Sequence, residues 1–451
     1  MTLQAQPPYQ VGTSRRDILR MSLPISLSIL VPQINFITNN IFLGGLGEQA
    51  LAAAGITGVY YLFFAVLGNG LNNGMQALIA RRAGEQRIED IARLFAQGLR
   101  LALGFAFLGI LLTWTLAPWI LGHSLASDEL RRTTLGFIRL RIFGLPLLYV
   151  YQMRNALLVG TNQSKFLIYG TLAEALVNIV LDFGLIYGHF GLPRMGFNGA
   201  ALASIIAEGS GLFVVYAVIH FQGIGARLQL MRHLRFDLDN TRLILVQSLP
   251  LIVQYGISIG SWVYFFILVE HHGQRDLAVS NSMRNIFGIC GIFSWAFAST
   301  TNAMVSNIIG QGKRDQVLFL VRRIVRLSLS FSLLIAIGIN VFPRLILSIY
   351  GQDQAFVETA IPVLRVVSIA VLLMSIGTIW PSAVTGSGNT RINLAIEGVT
   401  IVIYCVYIYL TLWYYDLPIL YGWMSEWVYW ASSFLLSWTY MRSGRWGKRT
   451  F

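Results

Sequence analysis

The sequence predicts an all-α polytopic membrane protein: twelve transmembrane helices, arranged as two pseudo-twofold-related six-helix bundles around a central cleft. Three observations predict it. The 451 residues are 55% hydrophobic and only 12% charged, with a mean hydropathy of +0.63; a soluble protein carries about twice that fraction of charge. The apolar runs are continuous over about 20 residues or more, which suits helices rather than the alternating strands of a barrel. The chain also repeats itself at a fixed offset.

Taken in order, the candidate spans are 18–43, 51–79, 94–121, 134–158, 165–188, 198–221, 243–270, 277–305, 318–343, 356–384, 392–413 and 418–440. Residues 1–17 are polar and form a tail; the first apolar run is too long for a signal peptide and stays as a membrane helix. Residues 18–222 make the first six-helix bundle, the basic segment 223–242 a linker, 243–441 the second bundle, and 442–451 a closing tail.

The loops sort by charge. One set holds Arg15, Arg16 and Arg20, then Arg81, Arg82, Arg87 and Arg93, then Lys165, Arg227, Arg232, Arg235 and Arg242. It continues with Lys313, Arg314, Arg322, Arg323, Arg391, Arg442, Arg445, Lys448 and Arg449. The other holds only Arg131, Arg132, Arg194, Arg275 and Arg344. The positive-inside rule then puts both termini and every even-numbered loop in the cytoplasm. This topology accounts for the net charge of +13 without nucleic acid as a partner. Cys290 and Cys405 lie inside apolar spans, so neither a disulfide framework nor a metal site is expected.

A shift of 226 residues superposes RMSLPISLSI, around Pro24, on VQSLPLIVQY, around Pro250. Without a gap it also pairs Gly47 with Gly273, Gly84 with Gly310, Arg139 with Arg365, Gly160 with Gly386 and Lys165 with Arg391. Each repeat holds an even number of spans, so the two are parallel, related by an axis along the membrane normal. Two such halves suit alternating access, although repeats also build channels and passive scaffolds.

The fifth span carries Glu174, Asn178 and Asp182. Four residues apart, they share one helical face over roughly 12 Å. A carboxylate at the centre of a membrane helix costs on the order of 3 kcal/mol on insertion scales, so this face is expected to meet protein or water rather than lipid.

The stretches SLPISLSI, IFLGGLGEQALAAAG, ALIARRAGEQRIEDIAR, GLPLLYVYQMRNALLVGTNQSK, LVNIVLDFGLIYG and MGFNGAALASIIAE, in this order and with this duplication, resemble the multidrug and toxic compound extrusion (MATE) transporters of the flippase superfamily. The resemblance runs from Leu19 to about Tyr440. It implies secondary active efflux of organic, often cationic, compounds in exchange for protons or sodium ions, with no cofactor. It further implies a bacterial inner (plasma) membrane location and a small organic molecule and membrane lipid as partners of a monomer. By the same resemblance, Asn178, Asp182 and Ser204 match three of four positions of the family's amino-terminal ion site. The fourth, a first-span Asp in the family, falls on Asn39; an amide can coordinate sodium or donate a hydrogen bond but cannot release a proton. A branch of the family also places carboxylates in the seventh and tenth spans. Here the seventh-span position is Ser258, and no Asp or Glu occurs between Ile361 and Thr385, which argues against that route.

Asp182 is the first candidate for the coupling carboxylate. A carboxyl whose access to water alternates can take up a proton on one side and release it on the other; with Asn39, Asn178 and Ser204 it could instead form an all-oxygen cation site. A permanent ion pair or interhelical hydrogen bond is the alternative. Glu174 and Glu208, outside the family pattern, could bind a cationic substrate or carry a proton, or be neutralised by Arg139 or Arg154. Asn69, Asn72, Asn73 and Gln76 form a polar face on the second span, suited to interhelical hydrogen bonding or to lining the cleft. Pro24, Pro32 and Pro146 can each kink a span. Aromatic residues such as Tyr61, Tyr149, Tyr151, Trp295 and Trp380 could serve interfacial belts or hold flat cations. Glu397 and Glu426 are expected near span ends, in packing or topology.

Two other classes compete. A flippase of a lipid-linked or polysaccharide intermediate would use arginines to hold phosphate, and Arg139, Arg141 and Arg154 cluster on one span. An intramembrane enzyme fares poorly, because the six histidines lie at loops or span ends without metal-ligand spacing.

Overall fold

The computed structural model describes residues 9–125, 127–233, 235–350 and 353–448, and the described residues contain helices and no strand. The order is α1 (Arg15–Gly44), α2 (Glu48–Gly84), α3 (Ile88–Ser124), α4 (Asp128–Arg141), α5 (Leu145–Gly160), α6 (Leu167–Tyr187) and α7 (Phe197–Phe221). Then come α8 (Leu238–Glu270), α9 (Gln274–Gly310), α10 (Val317–Val341), α11 (Gln354–Gly377), α12 (Ile379–Gly386), α13 (Thr390–Ile408) and α14 (Ser425–Arg442). Short helical turns lie at Ile224–Arg227, Pro343–Ser348 and Ile419–Trp423.

Eleven helical stretches among the described residues are long and apolar enough to cross a membrane. The fold is an all-α polytopic membrane protein. The expected twelfth span corresponds to α14 with the turn before it, but α14 falls outside that set of eleven. Its Trp427, Tyr429, Trp430, Ser432, Ser433, Ser437 and Trp438, with Glu426 and Arg442, lower its hydropathy. Apolar side chains that a soluble protein would hide are exposed along the helices, including Phe107 at 70%, Leu176 at 65% and Phe213 at 74%. That inverted surface is what a hydrocarbon solvent selects.

Two expected single spans are each in two pieces. The fourth breaks at a 3-10 turn, Ile142–Gly144, with Pro146 at the start of α5. Proline lacks the N–H that would continue the ladder, and it is tolerated where that donor has no partner. The tenth breaks at Thr378, between α11 and α12. Pro24 and Pro32, by contrast, sit within the single helix α1.

The repeat seen in the sequence recurs in the boundaries of the helices. α2 begins at Glu48 and ends at Gly84, and α9 begins at Gln274 and ends at Gly310, both pairs separated by 226. Each follows a glycine in the same unusual conformation, Gly47 with φ +108° and Gly273 with φ +107°, a region that side chains rarely adopt.

The chain divides into two compact units. One contains residues 27–252; the other contains 1–26 together with 253–451. The divisions fall inside α1 and α8 at equivalent points of the repeat, two residues beyond Pro24 and Pro250 respectively.

Within the unit of residues 27–252, α6 and α7 pack with little between their backbones. A Cβ on Gly199 would stand 2.6 Å from the Leu185 carbonyl oxygen, and one on Gly211 would stand 2.8 Å from that of Gly170. Small residues permit such approach between membrane helices, where dispersion rather than water exclusion drives packing. In the other unit, Phe265, Met283, Phe287, Tyr404 and Trp423 belong to one buried core. The amino-terminal segment is tied to that unit: Val11 N–H donates to Asn307 Oδ1 at 3.1 Å, and Arg323 Nη1 to the Thr13 carbonyl at 2.7 Å.

Candidate functional site

The four residues assigned to ion coupling come together within the unit of residues 27–252. Asn178 and Asp182 occupy successive turns of α6, so both face the same neighbours. The Tyr187 hydroxyl, near the end of α6, donates to the Phe42 carbonyl at 2.6 Å. This contact draws the end of α1 alongside α6 and sets Asn39, one turn earlier, opposite Asp182. With its amide nitrogen turned toward these acceptors, Asn39 donates to Asp182 Oδ2; the same nitrogen lies 3.1 Å from Asn178 Oδ1 and 3.2 Å from the Asn35 carbonyl. Asn178 Nδ2 points to Ser204 Oγ on α7 at 3.5 Å.

Asp182 is fully buried, and its Oδ1 makes no hydrogen bond among the described residues. No Lys, Arg or His among the described residues lies within 4 Å of its carboxylate. A buried carboxylate normally carries a cationic partner or several donors. This one has an amide donor on one oxygen and an open acceptor on the other. The site can therefore present oxygen atoms from Asp182, Asn178 and Ser204 to a small cation, or hold a proton on Asp182.

The second acidic group is arranged differently. Glu208 on α7 is joined by Arg141, the last residue of α4, through a forked pair: Nη1 donates to Oε2 at 3.0 Å and Nη2 donates to Oε1. The arginine that neutralises it is thus Arg141, not the expected Arg139 or Arg154. Arg139 instead lies over the Trp114 ring, 5.0 Å from its centroid, and Arg154 over Tyr151 at 3.8 Å. Arg154 is fully buried, and its Nε and Nη1 make no hydrogen bond among the described residues. Glu174 packs at the crossing of α6 and α7, where its Oε2 would stand 3.4 Å from a Cβ on Gly211.

The polar face of α2 meets α5. Gln152 Nε2 donates to Asn69 Oδ1 at 3.1 Å and to the Ala65 carbonyl at 3.1 Å, while Asn72 Nδ2 reaches Asn73 Oδ1 at 3.5 Å. Gln76 is buried, at 1% exposure. Here Asn69 forms interhelical hydrogen bonds. The partner Gln152 lacked any signal in the sequence, because nothing in its neighbourhood marks the side of α5 that meets α2.

Glu397, the eighth residue of α13, is buried, at 4% exposure, and its partners lie on other helices. Ser258 Oγ donates to its Oε1 at 2.6 Å, and the Tyr429 hydroxyl donates to the same oxygen at 2.5 Å. Asn393 Nδ2 donates to Gln254 Oε1 at 2.9 Å beside it. Glu426, in the first turn of α14, is also buried and accepts from Trp430 Nε1 at 3.0 Å.

Long apolar helices with ionisable groups held inside the bundle define the class: a polytopic membrane protein built around buried carboxylates. The MatE family model matches residues 24–183 and 250–410, two segments whose starts are again 226 apart, and the chain belongs to that family, the MATE transporters. Its members are transporters rather than enzymes and need no cofactor. The chain is 24% identical over 402 residues to the "Probable multidrug resistance protein NorM" of Burkholderia mallei, covering 86% of this chain and 84% of that protein. Among solved structures, it is similar to a MOP superfamily transporter from Pyrococcus furiosus, with TM-score 0.87, 18% identity, and 99% and 100% of the two chains covered. It is also similar to the Vibrio cholerae MATE transporter VcmN, with TM-score 0.88, 17% identity, and 96% and 98% covered.

Proposed function

We propose that this protein exports organic, drug-like cations across a bacterial plasma membrane in exchange for protons or sodium ions. The observation that carries this reading is the Asp182 carboxylate, fully buried, without a cationic partner and with one oxygen free of hydrogen bonds among the described residues. Such a group is suited to exchange its occupant rather than to hold a fixed charge in place. Asn39 completes the site as donor or ligand, and Asn178 and Ser204 supply further oxygens. The halves that alternate are 18–222 and 243–441, joined by 223–242, with both termini cytoplasmic and the protein working as a monomer. The NorM relatives are multidrug resistance proteins by name, and this supports the same substrate class here.

The flippase reading draws less support. Of the three clustered arginines, Arg141 is committed to Glu208 and the other two lie over aromatic rings, so they do not form an open phosphate cradle.

The test is reconstitution in liposomes with imposed proton or sodium gradients, following fluorescent organic cations. Efflux that follows one gradient, and that Asp182→Asn uncouples, supports the reading. Efflux indifferent to both gradients overturns it.

A further inference from the structure

Inside the unit of residues 27–252, the Arg141–Glu208 pair is built into more than an ion bridge. The two side chains are 12% and 9% exposed. The guanidinium carbon lies over the Tyr61 ring of α2, 3.8 Å from its centroid. α2, α4 and α7 therefore each supply one part. Gly144 leaves the room: a Cβ there would stand 2.6 Å from Glu208 Oε2 and would also strike Arg141. Beside the guanidinium, Tyr60, Tyr61, Phe137 and Ile142 border a crevice too narrow to hold a water molecule, so a ligand enters only if Arg141 leaves. The chain turns immediately after Arg141, through Ile142–Gly144 to Pro146. Short 3-10 segments within longer helices often mark hinges.

The chemistry here is that of organic-cation recognition. A planar, delocalised cation offers its edge to a carboxylate and its face to an aromatic ring. We propose that Arg141 occupies an organic-cation subsite formed by Glu208 and Tyr61, as a tethered surrogate that a cationic substrate displaces when the end of α4 swings on the 142–144 turn. The proposal rests on the efflux reading above and assigns its substrate to a place distinct from the Asp182 cluster. Displacement keeps the charge count at Glu208 unchanged, since one cation replaces another. Removing Arg141 alone strands a buried carboxylate, which then demands an external cation.

The experiment measures ethidium binding by fluorescence anisotropy on the full chain in detergent micelles. Arg141→Met is expected to bind ethidium about tenfold or more tighter than the unsubstituted protein, with ethylguanidinium competing. Adding Glu208→Gln or Tyr61→Leu to that variant removes the gain. Unchanged or weaker binding by a monodisperse Arg141→Met protein overturns the assignment, as does a gain that survives Glu208→Gln. Should Arg141→Met not fold, Glu208→Gln alone decides: binding about tenfold or more weaker supports the subsite, and equal binding overturns it. Ethidium export by the unsubstituted protein in liposomes separates the two claims. Export without the predicted binding changes removes only the subsite; no export and no binding of any organic cation removes the efflux reading.

Discussion

Asn39 and Asp182 are expected to act as a coupled pair in ion binding. Asn39→Ala removes the amide that donates to Asp182 Oδ2 and that also lies 3.1 Å from Asn178 Oδ1. A hydrogen bond to a charged group is worth about 1.5–3 kcal/mol net. At 1.4 kcal/mol per factor of ten, that contribution corresponds to roughly 10- to 150-fold in the concentration of coupling ion that half-saturates efflux. Asp182→Asn removes the charge and with it the dependence on the amide, so the double variant is expected to be no worse than Asp182→Asn alone. The shift for Asn39→Ala is read from ion-driven efflux in liposomes, with the ion concentration varied on the side that loads the site, and the coupling of the pair from a double-mutant cycle on stability in detergent, a readout that Asp182→Asn leaves measurable. Interaction energies above about 1 kcal/mol are expected for residues in contact. Additivity within about 0.5 kcal/mol would refute the reasoning, because it would mean that the amide and the carboxylate act independently.

Three further outcomes follow from the packing and capping. Gly199→Ala places a methyl 2.6 Å from the Leu185 carbonyl oxygen, so it is expected to destabilise by about 1–3 kcal/mol, read as a lower melting temperature in detergent. Ser258→Ala and Tyr429→Phe each remove a donor from the buried Glu397; each is expected to cost about 1.5–3 kcal/mol, and less when Glu397→Gln is already present. Asp237 caps α8, accepting from Asn240 N–H at 3.1 Å and from Asn240 Nδ2 at 2.7 Å, and these bonds hold its carboxyl below the usual range. Its stabilisation is therefore fully present above the ordinary carboxyl value and is lost as pH falls through the lowered folded value. Asp237→Ala, expected to cost about 1 kcal/mol, should flatten the acid limb of a melting-temperature profile.

The hydropathy of the chain revealed its class and most of its spans because a bilayer demands long apolar runs wherever helices cross it. The duplication was equally legible: Gly47 and Gly273 pair at the offset that also relates the ends of α2 and α9. The clustering of Asn178 with Asp182 followed from helical period alone, and Asn39 entered through family resemblance. Pairings between distant helices were not readable. Arg139 and Arg141, two residues apart, point to opposite sides of α4, and Arg154 lies beyond the turn at Ile142–Gly144; the sequence does not say which of these directions faces Glu208 on α7. The partners of Glu397 were hidden for a similar reason. Its nearness to the start of a span suggested a rim, and the hydroxyls of Ser258 on α8 and Tyr429 on α14 that meet its carboxylate were not readable.

The tie between the first residues and the later helices bears on how the molecule can be cut. Because Val11 and Thr13 are held by Asn307 and Arg323, a fragment beginning in the 223–242 segment would lack part of the unit it is meant to represent. Complementary pieces severed there would have to be expressed together, and a purification handle is better carried by the carboxyl end than by the amino end.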